Sequence, residues 1–150
     1  MKPDADFEAD ECTVIDGSGA VLGRLASDVA SRVLDGEKVA VVNAEEIVVS
    51  GEEDEVVEEY RQRDELGSDR GPYHPKRPDG IAKRSVRGMV PYKRERGKEA
   101  LSNLRFYVGV PDEYDDADTE EFDATGDKLG RGGYVSLGEI SQRIGANVTW

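Results

Sequence analysis

Cysteine, histidine and tryptophan occur once each in this chain of 150 residues, and each scarcity excludes something. With Cys12 alone, no internal disulfide and no cysteine metal cluster can form within the chain, and a reducing compartment fits. With His74 alone, any histidine-based dyad would have to use it, yet no serine or cysteine nucleophile lies in a recognisable motif around it. The chain is therefore read as non-catalytic, and His74 as a backbone or base contact, with a plain surface-loop residue as its alternative. Long apolar runs are also missing. No stretch approaches the roughly 20 residues that a spanning helix needs, and the opening MKPDADFEADE is acidic with no apolar run, so neither a secretion signal nor a membrane anchor is expected. Lysine is sparse as well, seven against 13 arginines. That preference suits bidentate recognition of oxyanions, and it also suits an acidic, salt-adapted proteome.

What the chain has in abundance is acid. Asp and Glu number 33 against 20 Lys and Arg, giving a net charge of −13 and a pI near 4.5. Such a balance would ordinarily argue against a polyanionic partner. The sign is not uniform, however. From Arg70 to Lys98, RGPYHPKRPDGIAKRSVRGMVPYKRERGK, ten cations face two acids, a local +8, while the remaining ten cations and 31 acids sum to −21. Cations interleaved with Tyr73, His74 and Tyr92 and punctuated by Gly and Pro suit an extended segment lying along a phosphate backbone. Guanidinium forks take phosphate oxygens, and rings stack on unpaired bases. The competing reading is a basic loop drawn to the protein's own acidic surface; two local acids could not neutralise ten cations, so nucleic-acid contact is preferred. The residues expected to touch nucleic acid are Lys76, Arg77, Lys83, Arg84, Arg87, Lys93, Arg94, Arg96 and Lys98, together with His74, with Arg24 outside the stretch, and with Gly88, where the backbone itself can approach.

The rest of the chain reads as one α/β domain from residue 12, behind an acidic tail of residues 1–11. Cys12 to Asp16 is a β-branched run ended by Gly17, Ser18 and Gly19, hence a strand and a turn. Leu22, Leu25, Ala26, Val29, Ala30, Val33 and Leu34 recur at the spacing of a helix with one buried face, and Gly36 closes it. Val39 to Val42 is purely apolar, a strand buried on both faces. Strand, helix and strand make a βαβ unit with parallel strands. Gly17, Gly19 and Gly23 invite comparison with a dinucleotide-binding turn, but Gly23 falls four residues after Gly19 and Asn43 stands where an acid is wanted, so a tight turn is preferred. Arg24, a cation in the first turn where it opposes the helix dipole, points to an external anion.

Ile47 to Val49 reads as a short strand or an edge segment, and Gly51 to Leu66 as a helix with acids at its positive end. Pro91 is expected to start a helix burying Ala100, Leu101 and Leu104. Arg105 to Val110 reads as a strand and the acid-rich Asp112 to Asp127 as an exposed loop. Ser136 with Glu139 forms a capping box for a last helix ending near Gly145. Trp150 docks on the core or stacks on a base, docking being preferred.

Several stretches together carry a resemblance: VLGRLAS from Val21, VVNAE from Val41, GPYHPKRPDGI from Gly71, VRGMVPYKRERGKEAL from Val86 and SLGEISQRIGANVTW from Ser136. The chain resembles large-subunit ribosomal protein thirteen in its archaeal form, over nearly all of Cys12 to Trp150. The resemblance implies a three-layer α/β/α fold around a largely parallel sheet of about four strands. It also implies binding to large-subunit ribosomal RNA early in subunit assembly, beside neighbouring ribosomal proteins in the cytoplasm. No catalysis, cofactor, metal, membrane or small-molecule substrate is implied. Val90 stands where the family pattern usually has Leu, a conservative change; the acidic tail and residues 112–127 depart further and read as halophile surface. A ribosome-independent RNA-binding or regulatory module and a nucleotide-binding enzyme built on the Gly17 to Gly23 turn are the alternatives.

Overall fold

Four parallel strands form the centre of the fold in a computed structural model, which describes residue 8 and residues 11–66, 75–125 and 133–150. The expected βαβ unit is present. Strand β1 (Thr13–Asp16) leads through helix α1 (Leu22–Leu34) to β2 (Val39–Val42), and β1 and β2 pair in parallel from Thr13 opposite Val39 to Asp16 opposite Val42. Gly36 takes φ +92°, the left-handed conformation that ends α1 without a Cβ penalty.

All four residues of β2 are buried, and the pleat explains why the run has no polar member. Val39 and Val41 face the main core with Leu25, Val29 and Val33 of α1, while Ala40 and Val42 face a second cluster around Tyr114. Leu25 is fully buried in the main core. Leu25→Ala is expected to cost about 2 to 5 kcal/mol, because the neighbours cannot close the cavity. Chemical denaturation checks this, and a change within error would show that α1 does not anchor the core.

After β2, a 3-10 turn (Ala44–Glu46) precedes β3 (Val48–Ser50), then α2 (Glu53–Leu66), α3 (Pro78–Arg87), α4 (Glu95–Ser102) and β4 (Leu104–Phe106). β5 (Thr119–Glu121), β6 (Tyr134–Ser136) and α5 (Leu137–Arg143) complete the described elements. The central sheet runs β4, β2, β1, β5, and β3 and β6 pair antiparallel as a separate ribbon. The expected strand over Ile47 to Val49 is thus present one residue later, as Val48–Ser50, outside the main sheet. At α5, the Glu139 backbone N–H donates to Ser136 Oγ at 3.2 Å, the expected cap. Trp150 is half-buried, its indole nitrogen 3.0 Å from where a Cβ on Gly138 would stand, so it docks.

Three expectations need correction. The basic stretch is not extended where it is described, since α3 and α4 occupy most of it. The second helix begins at Glu95, with Pro91 in the turn before it, and β4 takes Leu104 to Phe106, so Leu104 is a strand residue and the strand stops short of Val110. Residues 112–127 are not merely an exposed loop. They contain a 3-10 turn (Asp112–Tyr114) whose Tyr114 is 1% exposed, and β5, whose three residues are all exposed yet pair in parallel with β1.

Arg32 explains how so polar a strand is held. Its guanidinium takes both Glu120 oxygens, at 2.7 and 3.0 Å, and also meets Asp28 at 3.1 Å and Glu37 at 3.6 Å. That fork holds the Glu120 carboxyl below the usual carboxylate range. The two sheet faces are unequally covered: helices α1, α3 and α4 contribute to the main core, whereas the other face packs on Tyr114, Tyr107, Ala117 and Cys12.

Candidate nucleic-acid interface

The cationic stretch folds because a helical stripe runs through it. Pro78 opens α3 at its first turn, where a missing N–H costs nothing. Pro78, Ile81, Ala82 and Val86 are buried, and Lys83, Arg84 and Arg87 are only half-buried beside them. Beyond Gly88, Val90 turns inward at 6% exposed, so the branched chain at this position keeps its inward contact.

The turn between α3 and α4 is fixed by the chain itself. Met89 N–H donates to the Val86 carbonyl, Tyr92 N–H to Val90 and Arg94 N–H to Pro91. Gly97, buried in the first turn of α4, is where that turn lies against the helix: a Cβ there would fall on the Pro91 carbonyl. Gly97→Ala is expected to destabilise at or above the upper end of the roughly 1 to 3 kcal/mol that overpacking costs, because the obstacle is backbone. A thermal midpoint equal to wild type would contradict this packing.

Outward from this scaffold stand Lys93, Arg94, Arg96 and Lys98, all exposed. Tyr92 is half-buried under the Arg87 guanidinium, 4.1 Å from the ring centroid, with Lys93 Nζ at 5.9 Å. Gly88 is exposed with an ordinary helical φ of −68°, and a Cβ there would meet nothing closer than 3.6 Å. The fold thus does not require glycine at this position, in contrast to Gly97.

The structure brings Lys83, Arg84, Arg87, Gly88, Lys93, Arg94, Arg96 and Lys98 into one helix, turn and helix. Lys76 and Arg77 precede α3, with Arg77 Nε on Asp79 at 3.2 Å. Arg24 projects from the first turn of α1 into solvent, and no ion pair or ring contact among the described residues joins it to this turn. His74 lies outside the described residues, as do Arg70 and Tyr73. Two features were not read from the sequence: Met89, 46% exposed beside Gly88, and a cleft joining Tyr60 and Arg63 of α2 to Arg84 and Ser85. The signal for the second was available in the three-residue spacing of Tyr60 and Arg63.

The glycine turn of the nucleotide-binding alternative is closed. Gly17 N–H donates to the Val42 carbonyl, Ser18 N–H to Asp16 Oδ1, Gly19 N–H to Glu46 and Ala20 N–H to Gly17. The amides that a phosphate cradle must offer are consumed internally, and Ser18 Oγ donates to Glu46 Oε2 at 2.9 Å. Two carboxylates beside the turn would repel a phosphate.

A parallel α/β sheet carrying a cationic helix, turn and helix on its surface defines an α/β protein with a cationic face. A family model described as ribosomal protein L13 matches residues 10–113. The large ribosomal subunit protein uL13 of Natronomonas pharaonis is 58% identical over 146 residues, covering 97% of this chain and 98% of the relative. That of Halobacterium salinarum is 53% identical over 147 residues, with the same coverage, and that of Methanosarcina barkeri 51% over 137 residues, covering 89% and 98%. The chain belongs to the ribosomal protein L13 family. Halophilic archaea supply the first two of these relatives.

Proposed function

We propose that this chain is a structural component of the large ribosomal subunit, bound to large-subunit rRNA through α3, the Gly88 to Arg94 turn and α4, and supporting early subunit assembly. It works in the cytoplasm, among neighbouring large-subunit proteins. The observation that carries the assignment of the face is a failure of neutralisation. In a chain whose acids outnumber its cations, Arg32, Arg61, Arg63 and Arg143 all hold carboxylates. Arg94, Arg96 and Lys98 stand exposed with no ion pair among the described residues. Cations left unpaired amid surplus acid are available to an external polyanion.

Large subunits sedimented after a high-salt wash should retain the protein. Its complete release into the supernatant would instead favour a ribosome-independent RNA-binding module. Gly88 gives a finer test, because a Cβ there has room within the fold but narrows the approach of RNA backbone. Gly88→Ala is expected to leave the melting temperature unchanged or slightly raised while weakening rRNA binding. Equal affinity would remove Gly88 from the interface.

A further inference from the structure

Where α2 and α3 part, a cleft of about 120 Å³ opens, lined by Tyr60, Arg63, Pro75, Ile81, Arg84 and Ser85. At the roughly 30 Å³ that one water occupies in the liquid, the space is about four waters. It is smaller than the roughly 300 Å³ and more of a site that encloses a whole cofactor. One planar ring fits that size.

The walls are of different kinds. Pro75 and Ile81 supply an apolar floor. Ser85 Oγ donates to the Ile81 carbonyl at 3.3 Å, leaving its lone pairs to accept. The Arg63 guanidinium lies over the Tyr60 ring, its carbon 4.9 Å from the centroid, and Glu59 Oε1 holds it at 2.7 Å. A guanidinium held over a ring in this way can serve as a stacking platform for a base. Burial pushes the Tyr60 hydroxyl up from its ordinary pKa, so the phenol stays neutral beside it. Arg84 belongs both to this cleft and to the cationic face of α3, so whatever tracks that face passes the cleft mouth.

We propose that this cleft receives one unpaired nucleotide extruded from large-subunit rRNA, with its base between the Arg63 and Tyr60 wall and Ile81, and its phosphate toward Arg84. The inference rests on the rRNA-binding reading above. An aliphatic side chain from a neighbouring protein would leave the cations unused, and an acidic one would leave the apolar floor and the stacking wall unused. A nucleotide uses all three.

Ser85→Leu tests this by filling the cleft without removing Ile81, Ala82 or Val86 from the core. The variant should melt at or above the wild-type temperature, bind rRNA about 5- to 150-fold more weakly, and leave one base newly reactive to Watson–Crick-edge probes such as dimethyl sulfate or carbodiimide. Arg84→Gln should lower the salt slope of binding by about one. If Ser85→Leu binds as wild type with unchanged base reactivity, while Arg87→Glu with Arg94→Glu still loses binding, the cleft assignment falls and the rRNA reading stands. If wild-type protein binds no rRNA, both fall. Loss of a neighbouring ribosomal protein from Ser85→Leu subunits with no change at any base would assign the cleft to a protein side chain. Thermal stabilisation by millimolar nucleoside monophosphate, with no rRNA base protected, would make it a mononucleotide site. Either result overturns the proposal.

Discussion

Arg87→Glu combined with Arg94→Glu is expected to weaken large-subunit rRNA binding by roughly 10² to 10⁴-fold at moderate salt. Each arginine that grips a phosphate contributes a charge-assisted hydrogen bond of about 1.5 to 3 kcal/mol, so two lost contacts give about 3 to 6 kcal/mol, with repulsion from the new carboxylates in addition. The two positions flank the turn. Arg87 ends α3 over Tyr92, and Arg94 caps α4. Because Arg87 also leaves a ring contact worth about 0.5 to 1 kcal/mol at exposed sites, the melting temperature is read in parallel. The salt dependence separates loss of contact from loss of fold: two missing phosphate contacts should flatten the slope of log K against log salt by about two. Affinity equal to wild type would remove this face from the RNA.

What was legible in the sequence is what local periodicity dictates. The seven apolar positions of α1 and the pure run of β2 could satisfy their burial in only one arrangement, and the structure has it. β5 was illegible for the opposite reason. Thr119, Glu120 and Glu121 carry no apolar alternation, and they form a strand because β1 offers an open edge and Arg32 holds Glu120. β6 is three residues long and exists through its pairing with β3.

The basic stretch shows a different failure, in which charge density overrode a pattern that was present. Pro78 at a helix start with Ile81, Ala82 and Val86 on one stripe is a helix signal, but the cations and glycines around it read as extended. Of the site, the identities of the cations could be read and their common scaffold could not. Gly88 and Gly97 look alike in sequence, and only packing separates the glycine that the fold requires from the one it does not.

Salt is expected to act on this protein in two opposing directions, because +8 and −21 sit in one chain. Carboxylates crowd one another on the acidic surface. A hydrogen bond and charge from Glu53 push the Glu139 carboxyl above its ordinary pKa, and burial, reinforced by Glu46, pushes up that of Glu45. Near 0.01 M ionic strength the screening length is about 30 Å and these charges repel across the whole domain; at 1 M it is about 3 Å and they scarcely interact. The isolated protein should therefore lose helical signal as potassium chloride is withdrawn and regain it toward molar salt. RNA binding should run the other way. With about six phosphates neutralised, log K should fall by roughly five for each tenfold rise in salt on a duplex-like target. Retention at molar salt then has to come from guanidinium forks, shape fit and the surrounding assembly, which predicts slow release once the protein is built in. Circular dichroism and RNA affinity measured from low to molar potassium chloride check both limbs. Full folding without salt, or affinity flat across the range, would overturn this account of the two-signed charge.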